Sequence, residues 1–339
     1  MSKMKKMNAL KIIGLCILVV AVFLLIINII PPKKFVKENV FINQNRGRPM
    51  LAAHRGGAIT NPENTLKAYQ ASVNQYNIDI VESDIWLTKD GKIVFSHDGT
   101  IDRMSDVSLF DTKKEQHEIG DYTLEELQEF NFGYGFKDKN GNYPYKNLVT
   151  KDQPDRRQVL KENGLQILEV ESLFEEFYTK KPDLLFIVEI KNPGEKGYEA
   201  VNVLNDLLTN KYPEYKKNVV IGTFHNEIAK ELKEKYPDLL RGASTGDAIS
   251  FIVSQLFGVN LFSKADFACL QIPTSYNIKG IKLILARKTF INRAHRRNIA
   301  VQYWTINTAE EMRQLAKIGC DCIMTDDPKI FIEVAKEWK

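Results

Sequence analysis

Cysteine is scarce in this chain of 339 residues, and the four cysteines, Cys16, Cys269, Cys320 and Cys322, are unevenly spaced. Their spacing fits neither the dense disulfide framework of small secreted domains nor a zinc site made of two CxxC pairs. We expect Cys320 and Cys322 to be core thiols, because residues two apart in an extended run cannot easily form a disulfide. The fold must therefore depend on its hydrophobic core.

The net charge is also small, at +4, and the sequence has no basic face with interleaved aromatic residues. We therefore expect no nucleic acid as a partner. Apolar residues make up 44% of the chain and charged residues 27%, as in ordinary globular proteins with a large core. This composition excludes a disordered chain, a collagen-like repeat and a polytopic membrane protein. The length allows one barrel-sized domain with appendages.

One long apolar run lies near the N-terminus. Residues 12–30 contain no charged side chain, and a helix of this length measures about 28 Å, close to the hydrocarbon thickness of a bilayer. We predict a transmembrane helix at 12–30, a short tail at 1–11 and a tether at 31–49. A cleavable signal peptide is the alternative, but the run ends at Pro31-Pro32 without a small-residue cleavage site.

Lysines flank this run on both sides. Those before it are Lys3, Lys5, Lys6 and Lys11, and those after it are Lys33, Lys34 and Lys37. The slight excess before the run favours a cytoplasmic N-terminus. We therefore predict a single-pass membrane protein whose large domain lies outside the cytoplasm.

From residue 50 on, short β-rich apolar runs alternate with helical periodicity, which indicates parallel strands joined by crossover helices. The predicted strands are Met50–His54, Ile78–Leu87, Leu184–Ile190, Val219–Phe224, Leu239–Ala243, Phe267–Ile272, Ala300–Thr305 and Cys322–Thr325. Eight strands predict an α/β fold, a TIM (β/α)8 barrel over residues 50–339. Its active site is expected at the carboxyl ends of the strands.

The run Ile93–His97 begins too soon after the second strand for a parallel crossover, so it must return antiparallel. If Asp90 and Gly91 form a two-residue turn, the register sets Asp84 opposite His97.

Residues 98–165 form a long polar insertion with several aromatic residues, and we predict a small subdomain that acts as a lid. His117, within it, is expected to be a solvated surface group. The segment Phe251–Phe262 is unusually apolar and follows a barrel strand, so we expect it near the catalytic face. It is either a covering helix or a segment that enters the bilayer to admit a lysophospholipid.

The first predicted strand ends in His54-Arg55-Gly56-Gly57, which places an imidazole and a permanent cation at the barrel mouth. An anion site beside a proton carrier is implied. Asn61 is a candidate cap for the next helix, and Glu63 adds a carboxylate at the same face.

Acidic residues share one face of the second strand, where Glu82 and Asp84 are two residues apart. Such carboxylates repel each other unless a cation lies between them, and a hard divalent ion with oxygen ligands, Ca²⁺ or Mg²⁺, suits them. Glu189 and Lys191 repeat this pattern on another strand, adding a third acid and a second cation. The alternative is a set of ion pairs between these acids and lysines.

Eight short motifs follow one another along roughly residues 50–335. They are His54-Arg55-Gly56, Pro62-Glu63-Asn64-Thr65, Glu82-Ser83-Asp84, the Leu-Thr-Lys-Asp-Gly run from Leu87, His97-Asp98, Glu189-Ile190-Lys191, Trp304-Thr305-Ile306-Asn307 and Thr325-Asp326-Asp327-Pro328. In this order they resemble the glycerophosphodiester phosphodiesterase family. The resemblance implies a TIM barrel with a small insertion, one bound divalent ion, and hydrolysis of glycerophosphodiesters to glycerol 3-phosphate and an alcohol.

The resemblance also implies a role for each matched residue. His54 and His97 would be the general acid and base, Arg55 and Lys191 would hold phosphate oxygens, and Glu82, Asp84, Glu189 and Glu63 would surround the metal ion. Trp304 is expected either to stack on the glycerol or to pack within the barrel. The sequence departs from the family at residues 168–171, where Leu-Glu-Val-Glu replaces Pro-Thr-Leu-Glu, and this leaves Glu171 without a firm role.

The implied mechanism is an attack by the glycerol 2-hydroxyl on phosphorus, followed by opening of a cyclic phosphate by water. Three alternatives stay open. They are lysophospholipase D activity, cleavage of a glycerol-phosphate polymer at the membrane surface, and a non-catalytic receptor for glycerophosphate head groups.

Overall fold

The computed structural model describes residues 2–43 and 47–338. Met1 of the predicted tail, residues 44–46 of the predicted tether and Lys339 at the end of the predicted barrel domain lie outside the described residues.

Strands occur in every region where the sequence predicts one. In chain order they are β1 (Met50–Ala53), β2 (Ile80–Leu87), β3 (Ile93–Phe95), β4 (Leu185–Ile190), β5 (Val219–Gly222), β6 (Leu240–Arg241), β7 (Cys269–Ile272), β8 (Ser275–Ile278), β9 (Ile281–Ile284), β10 (Ala300–Tyr303) and β11 (Cys322–Thr325). Eight of them pair in the order β6-β5-β4-β2-β1-β11-β10-β7. A parallel bridge between Gly242 and Cys269 joins the two ends of this sheet. The predicted TIM barrel is confirmed.

Helices connect the barrel strands and surround them. In chain order they are α1 (Ser2–Ile29), α2 (Leu66–Tyr76), α3 (Leu124–Leu127), α4 (Arg156–Glu162), α5 (Val170–Phe177), α6 (Gly194–Asp206), α7 (Asn226–Lys235), α8 (Thr245–Leu256), α9 (Lys288–His295), α10 (Ala309–Ile318) and α11 (Pro328–Ala335). The cap predicted at Asn61 is wrong. The N-cap of α2 is Thr65, whose hydroxyl accepts a hydrogen bond from the backbone N–H of Ala68.

The core has two parts, because side chains alternate between the faces of each strand. Outward-facing residues such as Leu51 pack with the surrounding helices. Inward-facing residues such as Met50, Ala52 and Ile80 form a second cluster inside the barrel. Phe41, which precedes β1, is fully buried in this inner cluster. The chain before β1 therefore closes the barrel at the amino ends of its strands.

The hairpin between β2 and β3 differs from the predicted register by one residue. Leu87 pairs with Ile93, and the Thr88 N–H donates to the Lys92 carbonyl at 2.8 Å. The loop therefore has three residues and not two, with Gly91 in the left-handed region at φ 75°. Ser96, not His97, lies beside Asp84, and its N–H donates to the Asp84 carbonyl at 3.0 Å.

The predicted insertion has an apolar cluster of its own, which includes Ile101, Val107 and Phe130. His117 is packed within it and is only 1% exposed, so the prediction of a surface histidine is wrong. The buried imidazole has a hydrogen-bond partner, because His117 Nδ1 lies 2.6 Å from Asp102 Oδ1.

The apolar segment 251–262 does not lie at the carboxyl ends of the strands throughout its length. Helix α8 follows β6 and runs back along the barrel, so it ends near the amino ends of the strands. There the Gly258 carbonyl accepts from Asn28 Nδ2 of α1 at 2.8 Å, and Asn260 accepts from Arg297, which precedes β10. The predicted location of this segment near the catalytic face is therefore wrong for its second half.

Helix α1 projects from the barrel. Lys11–Ile29 is the one candidate span within the part of the chain that the structure describes, and it is long and apolar enough to cross a membrane. Residues 11–22 are exposed, whereas the last turns of α1 pack on the segment after α8.

Candidate active site

Strand alternation explains why the polar residues converge. Ile80 points into the inner apolar cluster, and Glu82 and Asp84 follow it on the same face of β2 toward the carboxyl end. On the neighbouring strand β4, Glu189 pairs in register with Asp84, and Lys191 follows on the same face. The barrel interior therefore changes from apolar to charged at the carboxyl ends of its strands.

His54 lies in the turn after β1, and a carboxylate orients its ring. His54 Nδ1 is 2.6 Å from Asp326 Oδ1, and the amide of Asn307 donates to Asp326 Oδ2 at 2.7 Å. Burial lowers the pKa of His54, but the charge of Glu82 and the hydrogen bond to Asp326 outweigh it and leave that pKa above its ordinary value. Burial also opposes ionisation of Asp326, yet its bond with His54 lowers the pKa of Asp326.

His97, which also lines the mouth, has an equivalent carboxylate partner. Its Nδ1 is 2.7 Å from Asp98 Oδ1, and Arg103 Nε donates to Asp98 Oδ2 at 2.6 Å. Although burial raises it, the pKa of Asp98 lies below its ordinary value because His97 and Arg103 donate to it. An ionised carboxylate only accepts hydrogen bonds, so each imidazole must carry its proton on Nδ1 toward the aspartate. In the neutral rings Nε2 is then left as a free acceptor.

Glu82 and Asp84 are both buried, and chain cations lie beside Asp84. The backbone N–H of Arg55 donates to Glu82 Oε2 at 2.9 Å, an arrangement that uses the left-handed backbone of Arg55 at φ 52°. Lys191 Nζ lies 3.0 Å from Asp84 Oδ1 and 2.8 Å from Glu189 Oε1. Burial, together with the charge of Asp84, raises the pKa of Glu82 to about 7 despite the opposing effect of His54.

Burial likewise raises the pKa of Glu189 above its ordinary value, although Lys191 opposes this shift. For Lys191 burial acts in the opposite direction, but the charges of Asp84 and Glu189 raise its pKa. The cluster therefore concentrates negative charge that its own cations offset only in part.

A cavity of about 190 Å³ opens at this end of the barrel. It is lined by His54, Arg55, Glu82, Asp84, His97, Ile187, Glu189, Lys191, Gly222, Thr223, Phe224, Ala243, Gln271, Trp304 and Met324. Every residue predicted for the site except Glu63 is in this set. Both imidazoles, the three strand carboxylates and the two predicted phosphate-binding cations therefore face one space.

Glu63 lies outside the cavity lining and is held by two guanidinium groups. Arg103 in the insertion donates to both of its oxygens, at 2.5 Å and 3.2 Å, and Arg55 Nη1 lies 3.5 Å away. Glu171, whose role was open, is at the start of α5, where it pairs with Lys211 and does not line the cavity.

Several lining residues have no counterpart in the sequence prediction. Phe224 is 54% exposed at the mouth, with the Lys191 ammonium 5.8 Å from the centre of its ring and Trp304 at 6.2 Å. Gln271 points inward from β7 and donates to Gln302 at 3.1 Å. Their positions at inward-facing sites near the strand ends are the signal that could have identified them.

The carboxylates of the cavity are a donor set of the kind that divalent cations bind. Within residues 2–43 and 47–338 no three His, Cys, Asp or Glu side chains lie close enough together to hold a metal ion as they stand. Lys191 partly explains why Asp84 and Glu189 do not converge on one point, because its ammonium lies between their carboxylates. The donors nevertheless fit: all are carboxylate oxygens, and among the residues that the structure describes Asp84 Oδ2 is buried with no hydrogen bond, 3.5 Å from Arg55 Nε.

Comparison with known proteins gives a consistent result. The sequence profile of the Glycerophosphoryl diester phosphodiesterase family matches residues 54–330. A glycerophosphodiester phosphodiesterase of Caldanaerobacter subterraneus subsp. tengcongensis is 25% identical over 297 residues, which are 86% of this chain and 99% of that protein.

Solved structures share the fold. The glycerophosphoryl diester phosphodiesterase domain of a Mycobacterium tuberculosis protein matches with a TM-score of 0.64 at 15% identity, covering 84% of this chain and 98% of that one. A phosphodiesterase of Oleispira antarctica, solved with the product sn-glycerol-3-phosphate, matches with a TM-score of 0.60 at 20% identity, covering 86% and 97%.

Proposed function

This chain belongs to the glycerophosphoryl diester phosphodiesterase family, and from that premise we propose that it hydrolyses glycerophosphodiesters to glycerol 3-phosphate and an alcohol. The observation that carries the proposal is the pair of imidazoles, His54 and His97, on one cavity. Each is held by an aspartate on Nδ1, which leaves Nε2 free for proton transfer.

We assign the metal site to Glu82, Asp84 and Glu189, which would hold one divalent ion, Ca²⁺ or Mg²⁺. Support comes from the oxygen-only donor set, from Asp84 Oδ2, which accepts no hydrogen bond within the described residues and lies 3.5 Å from Arg55 Nε, and from the raised pKa of Glu82. A bound cation would supply a partner for Asp84 Oδ2 and favour the ionised form of Glu82. Glu63 can join them only if its bonds with Arg103 open. When bound, the ion would stabilise negative charge at the phosphate and orient the glycerol hydroxyl.

The first step forms a bond between the glycerol 2-oxygen and phosphorus and breaks the bond from phosphorus to the alcohol. One histidine takes the proton of the 2-hydroxyl on Nε2, and the other gives a proton to the departing alcohol oxygen. Arg55 and Lys191 hold the phosphate oxygens and offset the charge that develops there. Such proton transfer contributes about 10²- to 10⁴-fold in rate.

In the second step water attacks the phosphorus of the cyclic phosphate, and the bond to the 2-oxygen breaks. The histidine that gave its proton now takes one from the water, and its partner returns a proton to the 2-oxygen. Both histidines thereby recover their initial protonation states, and glycerol 3-phosphate is released.

The test is turnover of a substrate panel by the full chain in detergent, with glycerophosphocholine, a lysophospholipid and a glycerol-phosphate polymer. We expect glycerol 3-phosphate from the soluble diester, lost in His54→Ala and His97→Ala. The matched control is His295→Gln, because His295 pairs with Asp321 at the opposite end of the barrel. Tight binding of glycerophosphocholine without product would instead indicate a receptor.

We also propose that α1 is an uncleaved membrane anchor and that the barrel lies outside the cytoplasm. Support comes from the apolar length of Lys11–Ile29 and from the lysines on its N-terminal side. Protease accessibility in intact cells tests the orientation, and the mass of the mature chain tests cleavage. A mature chain that begins after residue 30 would refute the anchor.

A further inference from the structure

The contacts between α1 and the barrel fix how the barrel stands relative to a bilayer. Phe23 stacks on Phe262 with ring centres 6.5 Å apart, and Asn28 Nδ2 donates to the Gly258 carbonyl at 2.8 Å. These contacts join the last two turns of α1 to the segment that follows α8.

The depth of these contacts follows from helix geometry. Phe23 precedes Ile30, the end of the apolar run, by seven residues, which corresponds to about 10 Å along the axis. If Lys11–Ile29 crosses the hydrocarbon layer, Phe262 must lie well below the polar head groups. Gly258, bonded to Asn28, must lie near the boundary.

The segment that these contacts place at the membrane exposes several large apolar side chains. Leu256 is 56% exposed, Phe257 is 70% exposed and Phe262 is 61% exposed. Large apolar side chains exposed together mark an interaction surface, and here they adjoin an apolar helix that is itself exposed.

Basic side chains surround the same junction. Arg296 donates to the carbonyls of Asn28 and Ile30 at the end of α1, and Arg293 donates to the Gln255 carbonyl at the end of α8. Lys33, Lys34, Lys37 and Lys264 are exposed nearby in sequence, together with one acid, Glu38. These residues give the junction the positive charge that is expected at the level of anionic lipid head groups.

We infer that residues 256–262 form a second membrane-inserting element, which seats the amino-terminal end of the barrel on an anionic lipid surface and turns the cavity mouth away from the bilayer. The four residues of β1 alone separate the two ends of the barrel by about 13 Å. The inference rests on the proposed span of α1. Together with the proposed function, it means that substrate enters from the aqueous side and not from the adjacent lipid.

Depth-dependent quenching tests this inference in the full chain. Cys16 is replaced by Ser, since it is exposed in α1, whereas the other three cysteines are buried. A bimane label is placed at Phe257→Cys and, separately, at Phe262→Cys. The matched control is Leu109→Cys, which is also an exposed apolar position but lies in the insertion. Each protein is reconstituted into vesicles of phosphatidylcholine and phosphatidylglycerol, with and without brominated acyl chains.

Brominated chains should quench the label at position 257 or 262 by about two-fold or more, as expected for groups about 5–10 Å within the interface, and should leave position 109 unchanged. Flotation in a density gradient shows whether the protein is bound to the vesicles. If brominated chains quench positions 257 and 262 no more than position 109 in protein that floats with the vesicles, the inference is overturned. Protein that does not float would refute the span of α1 instead. Turnover of glycerophosphocholine by each labelled protein reports separately on folding and on the proposed function.

Discussion

The substitution Asp326→Asn probes the proton chemistry of the site through a single hydrogen bond. Asn307 donates to Asp326 Oδ2, and its own side-chain oxygen accepts the Asp326 N–H at 2.9 Å, so the orientation of this amide is fixed. An asparagine at position 326 must therefore turn its carbonyl toward Asn307 and its amide toward His54. The His54 Nδ1 must then accept, and the ring proton moves to Nε2.

A ring with its proton on Nε2 cannot take a second one there, so a neutral His54 loses its function as a base. We expect kcat to fall by about 10²- to 10⁴-fold, equivalent to about 3–5 kcal/mol, with little change in KM. The assay is steady-state release of glycerol 3-phosphate. The control is Asp327→Asn, because Asp327 pairs with Lys139 and does not line the cavity. A fall in kcat of less than about ten-fold would refute the reasoning.

Four further substitutions test the placement of single residues. Glu63→Gln should lower kcat/KM by less than about ten-fold because Glu63 is outside the cavity, whereas Asp84→Asn should abolish turnover; equal losses would contradict this difference. Gly56→Ala should destabilise the protein by about 1–3 kcal/mol, since Gly56 has φ 79° and a Cβ there would lie 2.9 Å from Ala68 Cβ. An unchanged midpoint of thermal unfolding in detergent would exclude such strain. Phe41→Ala should lower the free energy of unfolding, obtained from the same thermal unfolding in detergent, by about 3–5 kcal/mol because Phe41 is fully buried. A decrease of less than about 1 kcal/mol would show that the inner cluster does not need this side chain.

The sequence predicts the barrel because each strand carries its own local signal. β-rich runs separated by helical periodicity are visible without knowledge of tertiary contacts, and all eight predicted runs contain a barrel strand. The convergence of Glu82, Asp84 and Glu189 follows from the same regularity, since alternate residues on adjacent parallel strands must face one side.

What the sequence does not predict depends on contacts between distant segments. The pairing of Glu63 with Arg103 requires the path of the insertion, which has no periodicity to define it. The hairpin register does not follow from the sequence, because Asp90-Gly91 fits both a two-residue turn and a three-residue loop with Gly91 in the left-handed region. The burial of His117 depends on Asp102, and polar composition alone gives no sign of that pair.

In the proposed site, three strand carboxylates hold one divalent ion beside two histidines. The most direct test is a calorimetric titration of chelator-treated full chain with Ca²⁺ and with Mg²⁺, while glycerol 3-phosphate release is followed in parallel. We predict one ion per chain, activity that returns in proportion to occupancy, and loss of both in Glu189→Gln. Full activity in the chelated protein, or unchanged ion binding by Glu189→Gln, would contradict the account.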